Sequence, residues 1–260
     1  MNLRIITIIF LFISCIPLSA QTVEKDPKKG FRYNNYFELT GLVGSDLYGG
    51  TGSWSHYHNT GKKKRNFKIG YGVRITSVFG VARMYVTAPA KLTRGITGPI
   101  AIFSEKQLDN YDTISLARPQ VNSLNLYFSI QYTLFRRIDL GLNADLAGVS
   151  FGTKEIAEYT SSKNNPGDFS QAQQAFPTGF NVMLLGDNNL GSLNSEVFAR
   201  FWITNQWAVK ASLNFVFTEY TTVNTLRLGN DRFRDRTFMA GVAVTFCPWR
   251  SEIFYSDKNK

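Results

Sequence analysis

The stretch "SLNLYFSIQYTLFRRIDLGLNADLAG", Ser123 to Gly148, alternates apolar and polar residues on both sides of a short charged break. In its first half Leu124, Leu126 and Phe128 fall on one face, and small uncharged polar residues fall on the other. A period of two predicts β-strands, and the break "RRID" predicts a tight connection between them. The stretch is therefore predicted to be a long β-hairpin whose two faces differ in polarity.

The same alternation recurs along the rest of the chain. The predicted strands cover about 36–45, 50–59, 66–78, 120–134, 138–151, 191–203, 206–220 and 236–247. Short connections alternate with long ones at about 80–118, 152–190 and 222–234. Transmembrane barrels have short periplasmic turns and long extracellular loops. The prediction is an all-β, antiparallel, up-and-down transmembrane β-barrel of about eight strands. A soluble β-sandwich would not need this regular rhythm, and it is the weaker alternative.

The N-terminus predicts export. "MNLRIITIIFLFISCIPLSAQ" combines a basic residue, an apolar run and small residues, which is typical of a Sec-type signal peptide cleaved after Ala20. The predicted organisation is a signal peptide at 1–20, an N-terminal periplasmic segment at 21–34, the barrel at 35–249 and a C-terminal tail at 250–260. The mature chain keeps a single cysteine, Cys247, so it can form no internal disulfide.

The charge of the chain indicates possible partners. It has 29 Lys and Arg against 19 Asp and Glu, a net charge of +10 that falls to about +9 without the signal peptide. Because the chain is predicted to be exported, its expected partners are outer-membrane lipids and lipopolysaccharide phosphates rather than nucleic acid. The run "KKKR" at 62–65 is expected to meet lipid phosphates or water. A simply solvated basic surface remains the alternative.

Aromatic residues cluster near the predicted short turns. Tyr132, Phe135, Phe201, Trp202 and Trp207 all lie within a few residues of such a turn. Tyr and Trp favour the membrane–water interface, so this placement predicts an aromatic girdle. Ordinary aromatics of a sheet core are the alternative.

Two segments carry a resemblance to a known group of proteins. "AGVAVTF", Ala240 to Phe246, resembles the terminal strand that the barrel-assembly machinery reads, although fourteen residues follow it. "YVTAPAKLTRGITGPIAIFSE", Tyr85 to Glu105, is similar to uncharacterised outer-membrane barrel proteins of Bacteroidota. The resemblance implies a small barrel integral to the outer membrane of a Gram-negative bacterium. It implies no activity.

Charged residues are predicted on the inward face of the strands. They are Glu38, Lys68, Arg74, Asp145, Glu196, Arg200 and Lys210. An eight-stranded barrel is only wide enough for side chains to fill it, so these charges must be paired. Glu196 and Arg200 lie about 13 Å apart on one strand, so each should pair with a neighbouring strand. The nearly balanced signs predict a closed polar network, whereas one sign would indicate a selective pore.

The stretch "SWSHYHNTG" holds both histidines of the chain, His56 and His58, on one predicted face. Two histidines can bind a metal or supply a general base, but no third ligand has a defined spacing. "HYHN" also resembles the His-x-Ser-Asn stretch of lipid A deacylases, which implies His56 as base and Asn59 as the matching Asn. His58 occupies the nucleophile position, so a histidine pair at the membrane rim is expected instead. No catalytic residue, metal or cofactor is predicted.

The predicted function is therefore that of an integral outer-membrane barrel with a largely occluded polar lumen. Its role is structural, surface interaction or passage of a small ligand. A narrow pore for small solutes is the alternative, and a lipid-modifying enzyme is a lesser one. The long connections at 80–118 and 152–190 either fold over the mouth or extend the strands above the membrane. Binding function often resides in such loops.

Overall fold

The structure, a computed structural model, describes residues 33–60, 66–97, 103–134, 137–162, 171–184, 189–204 and 206–248. The strands are β1 Tyr33–Gly44, β2 Leu47–Thr60, β3 Phe67–Gly80, β4 Arg83–Thr87, β5 Thr113–Leu116, β6 Gln120–Leu134, β7 Ile138–Phe151, β8 Glu155–Thr160, β9 Gln171–Pro177, β10 Phe180–Val182, β11 Leu193–Trp202, β12 Trp207–Thr222 and β13 Arg232–Phe246. A short helix, α1, spans Ala90–Arg94, and 3₁₀ turns span Leu108–Asn110 and Arg227–Gly229. No helix in these ranges is long and apolar enough to cross a membrane.

Eight long strands pair in a closed cycle, which we call the eight-strand ring. The order is β1, β2, β3, β6, β7, β11, β12 and β13, and β13 then pairs with β1. At the closing pair Phe37 lies opposite Phe246, and Val43 lies opposite Ala240. All of these pairings are antiparallel. A closed ring leaves no long strand with an unpaired edge.

A second closed cycle, the six-strand ring, continues from one end of the first. The ends of β12 and β13 extend past the eight-strand ring, where β12 pairs with β9 and β13 pairs with β4. The pairs β4–β5, β5–β8 and β8–β9 complete the circuit. Tyr220 lies opposite Pro177, and Arg234 lies opposite Val86. The two rings therefore share β12 and β13.

The prediction of about eight strands with long loops is wrong for the sheet as a whole. The sheet has thirteen strands in the described ranges, and the five additional ones are β4, β5, β8, β9 and β10. They lie in the connections predicted at 80–118 and 152–190, and the third long connection shortens to 223–231. Each additional strand has three to seven residues, too short for a period of two to stand out. Their partners are also distant in sequence.

Several predicted segments lie wholly or partly outside the described residues. These are the signal peptide at 1–20, most of the segment at 21–34, the run "KKKR" at 62–65 and the tail at 250–260. The first strand begins at Tyr33, two residues before the predicted start of the barrel. The other long strands begin and end within two residues of their predicted positions, except that β2 begins three residues early and β13 begins four residues early.

The two faces of the eight-strand ring reverse the usual polarity of a soluble protein. Its outward face carries apolar side chains that are largely exposed, among them Leu39, Leu126, Val197, Leu213, Phe238 and Val242. Its inward face carries buried polar side chains, among them Asn125, Ser129, Gln131, Asn143 and Thr245. Contiguous apolar surface of this extent is typical of a surface that contacts a membrane or another protein.

The interior of the molecule is layered along its length. Near the short turns a buried cluster contains Tyr36, Tyr57, Trp202, Ala208 and Cys247. Near the opposite end of the eight-strand ring a second cluster contains Leu42, Leu47, Val78, Val216 and Met239. The six-strand ring encloses a third, larger cluster of Tyr85, Ile114, Leu116, Val121, Ala157, Tyr159, Ala175, Tyr220 and Phe233. Charged side chains fill the space between the first two clusters.

Candidate functional site

The charged interior of the eight-strand ring begins with Arg74 on β3. Its Nε donates to Asp145 Oδ1 on β7 at 3.1 Å, and its Nη1 donates to Glu196 Oε2 on β11 at 3.2 Å. Neither β7 nor β11 is a neighbour of β3 in the ring. The guanidinium therefore crosses the interior and joins strands that share no backbone hydrogen bonds with β3.

The chain of ion pairs continues from Glu196 through Lys210 on β12. The Lys210 ammonium contacts both Glu196 and Glu38. On the other side of Glu38, Arg200 Nη2 lies 3.0 Å from Glu38 Oε2. Glu196 and Arg200 thus each pair with other strands, although they lie on the same face of β11. Six of the seven predicted inward charges belong to this single network.

A further carboxylate, Asp139, joins the network, although it was not among the predicted inward residues. Its Oδ2 lies 3.7 Å from Arg200 Nη1 and accepts from Trp202 Nε1 at 2.6 Å, while its Oδ1 accepts from Thr133 at 2.7 Å. Asp139 lies six residues from Asp145, which places both on the inward face of β7. Its even separation from Asp145 could have indicated that Asp139 faces inward. However, Asp139 also belongs to "RRID", which was predicted to be a turn.

The seventh predicted residue, Lys68, is fully buried at the level of the aromatic cluster. Its Nζ donates to the Tyr36 hydroxyl at 3.4 Å. With Lys68 and Asp139 included, the described part of this interior holds four cations and four carboxylates. The interior set is therefore balanced, which a selective pore of one sign would not be.

Neutral side chains complete the hydrogen bonding of the buried carboxylates and guanidiniums. Asn125 donates to Asp145 at 2.8 Å, Asn143 donates to Glu196 at 2.8 Å, and Thr245 donates to Glu38 at 2.8 Å. Arg200 in turn donates to Gln131 at 2.9 Å. Buried ions are tolerated when such partners replace water. The arrangement is an ionic network whose members are also hydrogen-bonded to neutral side chains.

Gly72 on β3 makes room for an aromatic side chain beside this network. A Cβ at Gly72 would lie 2.7 Å from the ring of Tyr127 and would overlap the Trp54 carbonyl. Tyr127 fills this space, and the Arg74 Cζ lies 5.1 Å from the centroid of its ring. A larger residue at position 72 would displace the ring that packs on Arg74.

A small cavity lies at the junction between the two rings. Its volume is about 10 Å³, and it is lined by residues that include Thr76, Ser123 and Asn194. This volume is at the lower limit for a single water molecule. The Thr76 hydroxyl and both polar atoms of the Asn194 side chain have no hydrogen-bond partner among the described residues. This cavity can thus hold one water molecule.

The histidine stretch does not form a convergent site. His56 and His58 share the outward face of β2, with ring centroids 4.8 Å apart, and Asn35 Oδ1 lies 2.8 Å from His56 Nδ1. Asn59 faces the interior, where it accepts from Asn34 at 3.0 Å. The predicted trio is therefore split between two faces. In the described part of the chain no three His, Cys, Asp or Glu side chains are grouped to hold a metal ion.

Aromatic residues form two levels on the outward face of the eight-strand ring. Trp207 on β12 packs against Phe246 on β13 at a centroid distance of 4.6 Å. Eight residues along the same strands, Phe215 packs against Phe238 at 4.6 Å. At about 3.3 Å per residue the two levels are about 26 Å apart along the strand. With the usual barrel tilt this is about 20 Å of height.

Aromatic pairs also lie on β2 and β3, which β1 separates from β13. Trp54, in the middle of β2, lies 6.5 Å from Tyr71 between ring centroids. Tyr48 stacks on Phe79 at 5.9 Å near the ends of β2 and β3 that are joined to the longer connections. Between the two levels the outward residues are mainly aliphatic or small. An apolar band of about 25 Å with an aromatic girdle at each edge is the pattern of a transmembrane barrel.

A separate ion pair lies at the outer end of the six-strand ring. Arg227 Nη2 lies 2.6 Å from Asp112 Oδ1, and Tyr159 donates to Asp112 Oδ2 at 2.9 Å. Burial favours the neutral acid, but hydrogen bonds from Arg227, the Ser162 amide and Tyr159 outweigh it and lower the pKa of Asp112. Burial, followed by the hydrogen bond to Asp112, raises the pKa of Tyr159 to about 12. Asp112 thus ties the 223–231 connection to β5 and β8.

Comparisons with known proteins find structurally similar proteins but no matching family model. No protein-family model matches the chain, and no curated protein matches it in sequence. Among solved structures it is similar to Neisserial surface protein A (8% identity, TM-score 0.32, covering 84% of this chain and 99% of that one). It is also similar to a major outer membrane protein from Thermus thermophilus (12%, 0.37, 83% and 98%). A third is the N-terminal β-barrel domain of OprF from Pseudomonas aeruginosa (12%, 0.31, 84% and 99%).

These neighbours are a surface protein, an outer-membrane protein and a barrel domain. At identities of 8–12% and TM-scores of 0.31–0.37 they carry no argument about a ligand or an activity. The fold described above rests instead on the strand pairing of this chain. The predicted resemblance to Bacteroidota proteins stays a prediction.

Proposed function

We propose that this protein spans the outer membrane as a closed barrel made of the eight-strand ring, and that its role is structural or surface interaction. The observation that carries the proposal is the reversed polarity of that ring. Exposed apolar residues cover its outside, and a balanced ionic network fills its inside. Lipid on one side and the paired ionic network on the other satisfy both faces.

The lengths of the connections support one orientation. The connections β2–β3, β6–β7 and β11–β12 are short, whereas the other end of the ring carries the six-strand ring. Outer-membrane barrels place short turns in the periplasm and long segments outside the cell. We therefore place the six-strand ring on the outer surface, joined to the membrane-spanning part through β12 and β13.

The filled interior favours this role over passage of a small ligand or a narrow pore. A path along the axis would have to cross the aromatic cluster around Trp202, the ionic network, the cluster around Met239 and the core of the six-strand ring. Each of these layers is buried and packed. Moving an ion through an apolar layer is costly because nothing there replaces its hydration.

The role we propose is also non-enzymatic. The stretch that resembles a lipid A deacylase motif separates His56 from Asn59, which lie on opposite faces of β2. A general base and its supporting Asn must converge on one reacting atom. The geometry at this stretch gives the deacylase-like alternative no support.

The test is conductance of the purified protein in a planar bilayer. Faster migration of the unheated sample on a gel first establishes that the protein is folded, and cell fractionation tests its location in the outer membrane. We expect no discrete current steps from folded, inserted protein, while a porin inserted in the same bilayer supplies the positive control. Steady steps would favour the pore, and a changed lipid A in a deletion strain would favour the enzyme.

A further inference from the structure

The small cavity between the two rings lies where the polar interior meets an apolar one. Its lining includes Val78 and Val216, which belong to the second apolar cluster. It also includes the polar residues Thr76, Ser123 and Asn194. None of the described residues that line this space is charged. We call it the junction cavity.

The ionic network fixes the position of Asn194 at the junction cavity. The Asn194 amide donates to Asp145 Oδ2 at 2.9 Å, and the Asn194 carbonyl accepts from Arg74 Nη2 at 2.6 Å. Thr76 is the next inward residue after Arg74 on β3, and Ser123 lies opposite Thr76 on β6. Asn194 and Thr76 therefore reach the same cavity from β11 and β3, which are not neighbours in the ring.

Three polar atoms of the cavity lining lack a hydrogen-bond partner among the described residues. They are the Thr76 hydroxyl and the Oδ1 and Nδ2 atoms of Asn194. Thr76 is 4% exposed and Asn194 is 2% exposed, so both side chains are shielded from bulk solvent. Burying polar groups without a partner is costly. An occupant that forms hydrogen bonds with these atoms would remove that cost.

We propose that one water molecule occupies the junction cavity and bridges Thr76 to Asn194. The volume of about 10 Å³ suits a single water, which typically makes about three hydrogen bonds to buried polar groups. The Thr76 and Ser123 hydroxyls and one polar atom of the Asn194 side chain supply these partners, because a hydroxyl can donate or accept. A cation fits less well, since the described lining holds no carboxylate to replace its hydration.

The bridging water adds a second link between β3 and β11. The first link is the hydrogen bond from Arg74 to the Asn194 carbonyl. The water lies one inward position further along β3, at the edge of the second apolar cluster. It thereby extends the hydrogen bonding of the ionic network as far as the apolar layer. The inference concerns the interior alone and does not rest on the membrane-spanning function.

The direct test is a crystal structure of the full chain, folded in detergent, at a resolution that shows ordered water. We expect a density peak within hydrogen-bonding distance of the Thr76 hydroxyl and the Asn194 side chain. An empty junction cavity would overturn the proposal. A peak with the short contacts and the larger number of oxygen neighbours of a sodium ion would overturn the assignment to water.

A second test measures the unfolding equilibrium constant of the full chain by denaturant titration in the same detergent. Thr76→Val replaces the hydroxyl by a methyl group and should raise this constant about fivefold, the typical effect of losing one hydrogen bond. Thr40→Val is the matched control. The Thr40 hydroxyl is also buried and lacks a described partner, but Thr40 does not line the junction cavity. Thr40→Val should leave the constant unchanged or lower it, and equal effects of the two substitutions would overturn the proposal.

A double-variant cycle tests the bridge itself. Asn194→Leu replaces the side-chain amide by an apolar group of similar shape and keeps the backbone contacts of Asn194. Combining it with Thr76→Val should raise the unfolding constant by less than the product of the two single effects, because each substitution breaks the same bridge. Independent effects would overturn the bridge. If Asn194→Leu does not fold, the crystal structure and the two threonine variants decide.

Discussion

Apolar side chains face inward in the six-strand ring, whereas they face outward in the eight-strand ring. In the six-strand ring apolar residues such as Ile114 and Phe233 are fully buried inside, as in a soluble protein. In the eight-strand ring residues such as Val242 and Leu39 are 72% and 73% exposed outside, while the ions are buried inside. The difference is the one expected if the eight-strand ring faces lipid, as proposed, and the six-strand ring faces water.

Strand β13 shows where the change occurs, because it runs through both rings. Toward its C-terminal end the inward residue Thr245 is polar and the outward residue Val244 is apolar. Toward its N-terminal end the inward residue Phe233 is apolar and the outward residue Arg236 is charged. The polarity reverses near Phe238, at the level of the upper aromatic residues. This level is the expected surface of the membrane.

The largest effect should follow from removing one carboxylate of the ionic network. Glu196→Ala takes away a carboxylate that both Arg74 and Lys210 contact in a buried position. Breaking a buried ion pair in this way costs about 3–5 kcal/mol of the free energy of unfolding. Denaturant titration of the vesicle-inserted protein measures it. Glu158→Ala, on the exposed face of β8, should stay within about 0.5 kcal/mol. Equal losses in both variants would contradict a paired interior.

A smaller effect should distinguish the outward faces of the two rings. Val242 and Ile156 are 72% and 71% exposed, but Val242 lies midway between Phe238 and Phe246 on the eight-strand ring, whereas Ile156 lies on the six-strand ring. Val242→Arg should cost about 2–4 kcal/mol of unfolding free energy, as expected at the middle of a bilayer. Ile156→Arg should cost nearly nothing, because it faces water. Similar losses of unfolding free energy in the two variants would show that the outward faces of both rings contact the same solvent, which would contradict the difference between the rings.

The smallest effect should be local and dependent on pH. Because the pKa of Asp112 is lowered in the folded chain, its stabilising contribution is present above the ordinary value of about 3.9 and is lost as the pH falls below it. Hydrogen-exchange protection factors of the 105–112 and 223–231 segments should therefore drop below about pH 4. Asp112→Asn should show low protection at neutral pH and no further drop on acidification. A drop of the same size in this variant would assign the pH dependence to another group.

The long strands were predictable because each contains enough residues for its period to be read locally. Leu124 to Leu134 alternate in the sequence as they do in the structure, and the inward parity of Arg74, Glu196 and Lys210 follows from the same counting. The six-strand ring was not predictable in this way. Its additional strands are short, and β5 pairs with β8 across more than forty residues.

The candidate site was predictable in its membership but not in its geometry. The alternation along each strand was enough to predict that seven charged residues face inward. Asp139 was not predicted because it lies at the edge of a segment that was interpreted as a turn. The partner of Arg74 could not be read from the chain, because Asp145 and Glu196 lie across the interior on strands that do not neighbour β3. The arginines at the start of β13 are visible as "RFRDR", but only the pairing with β12 shows that Glu219 contacts Arg232 and Arg234.

The sequence by itself determined the alternation of apolar and polar residues, and hence which side chains share a face of each long strand. A period of two is a local property of the extended backbone, so no tertiary contact is needed to assign it. Only the tertiary structure decided that the connections close into a second ring and which inward charges pair with one another. These outcomes depend on which strands become neighbours, and strand pairing is set by contacts between residues far apart in the chain.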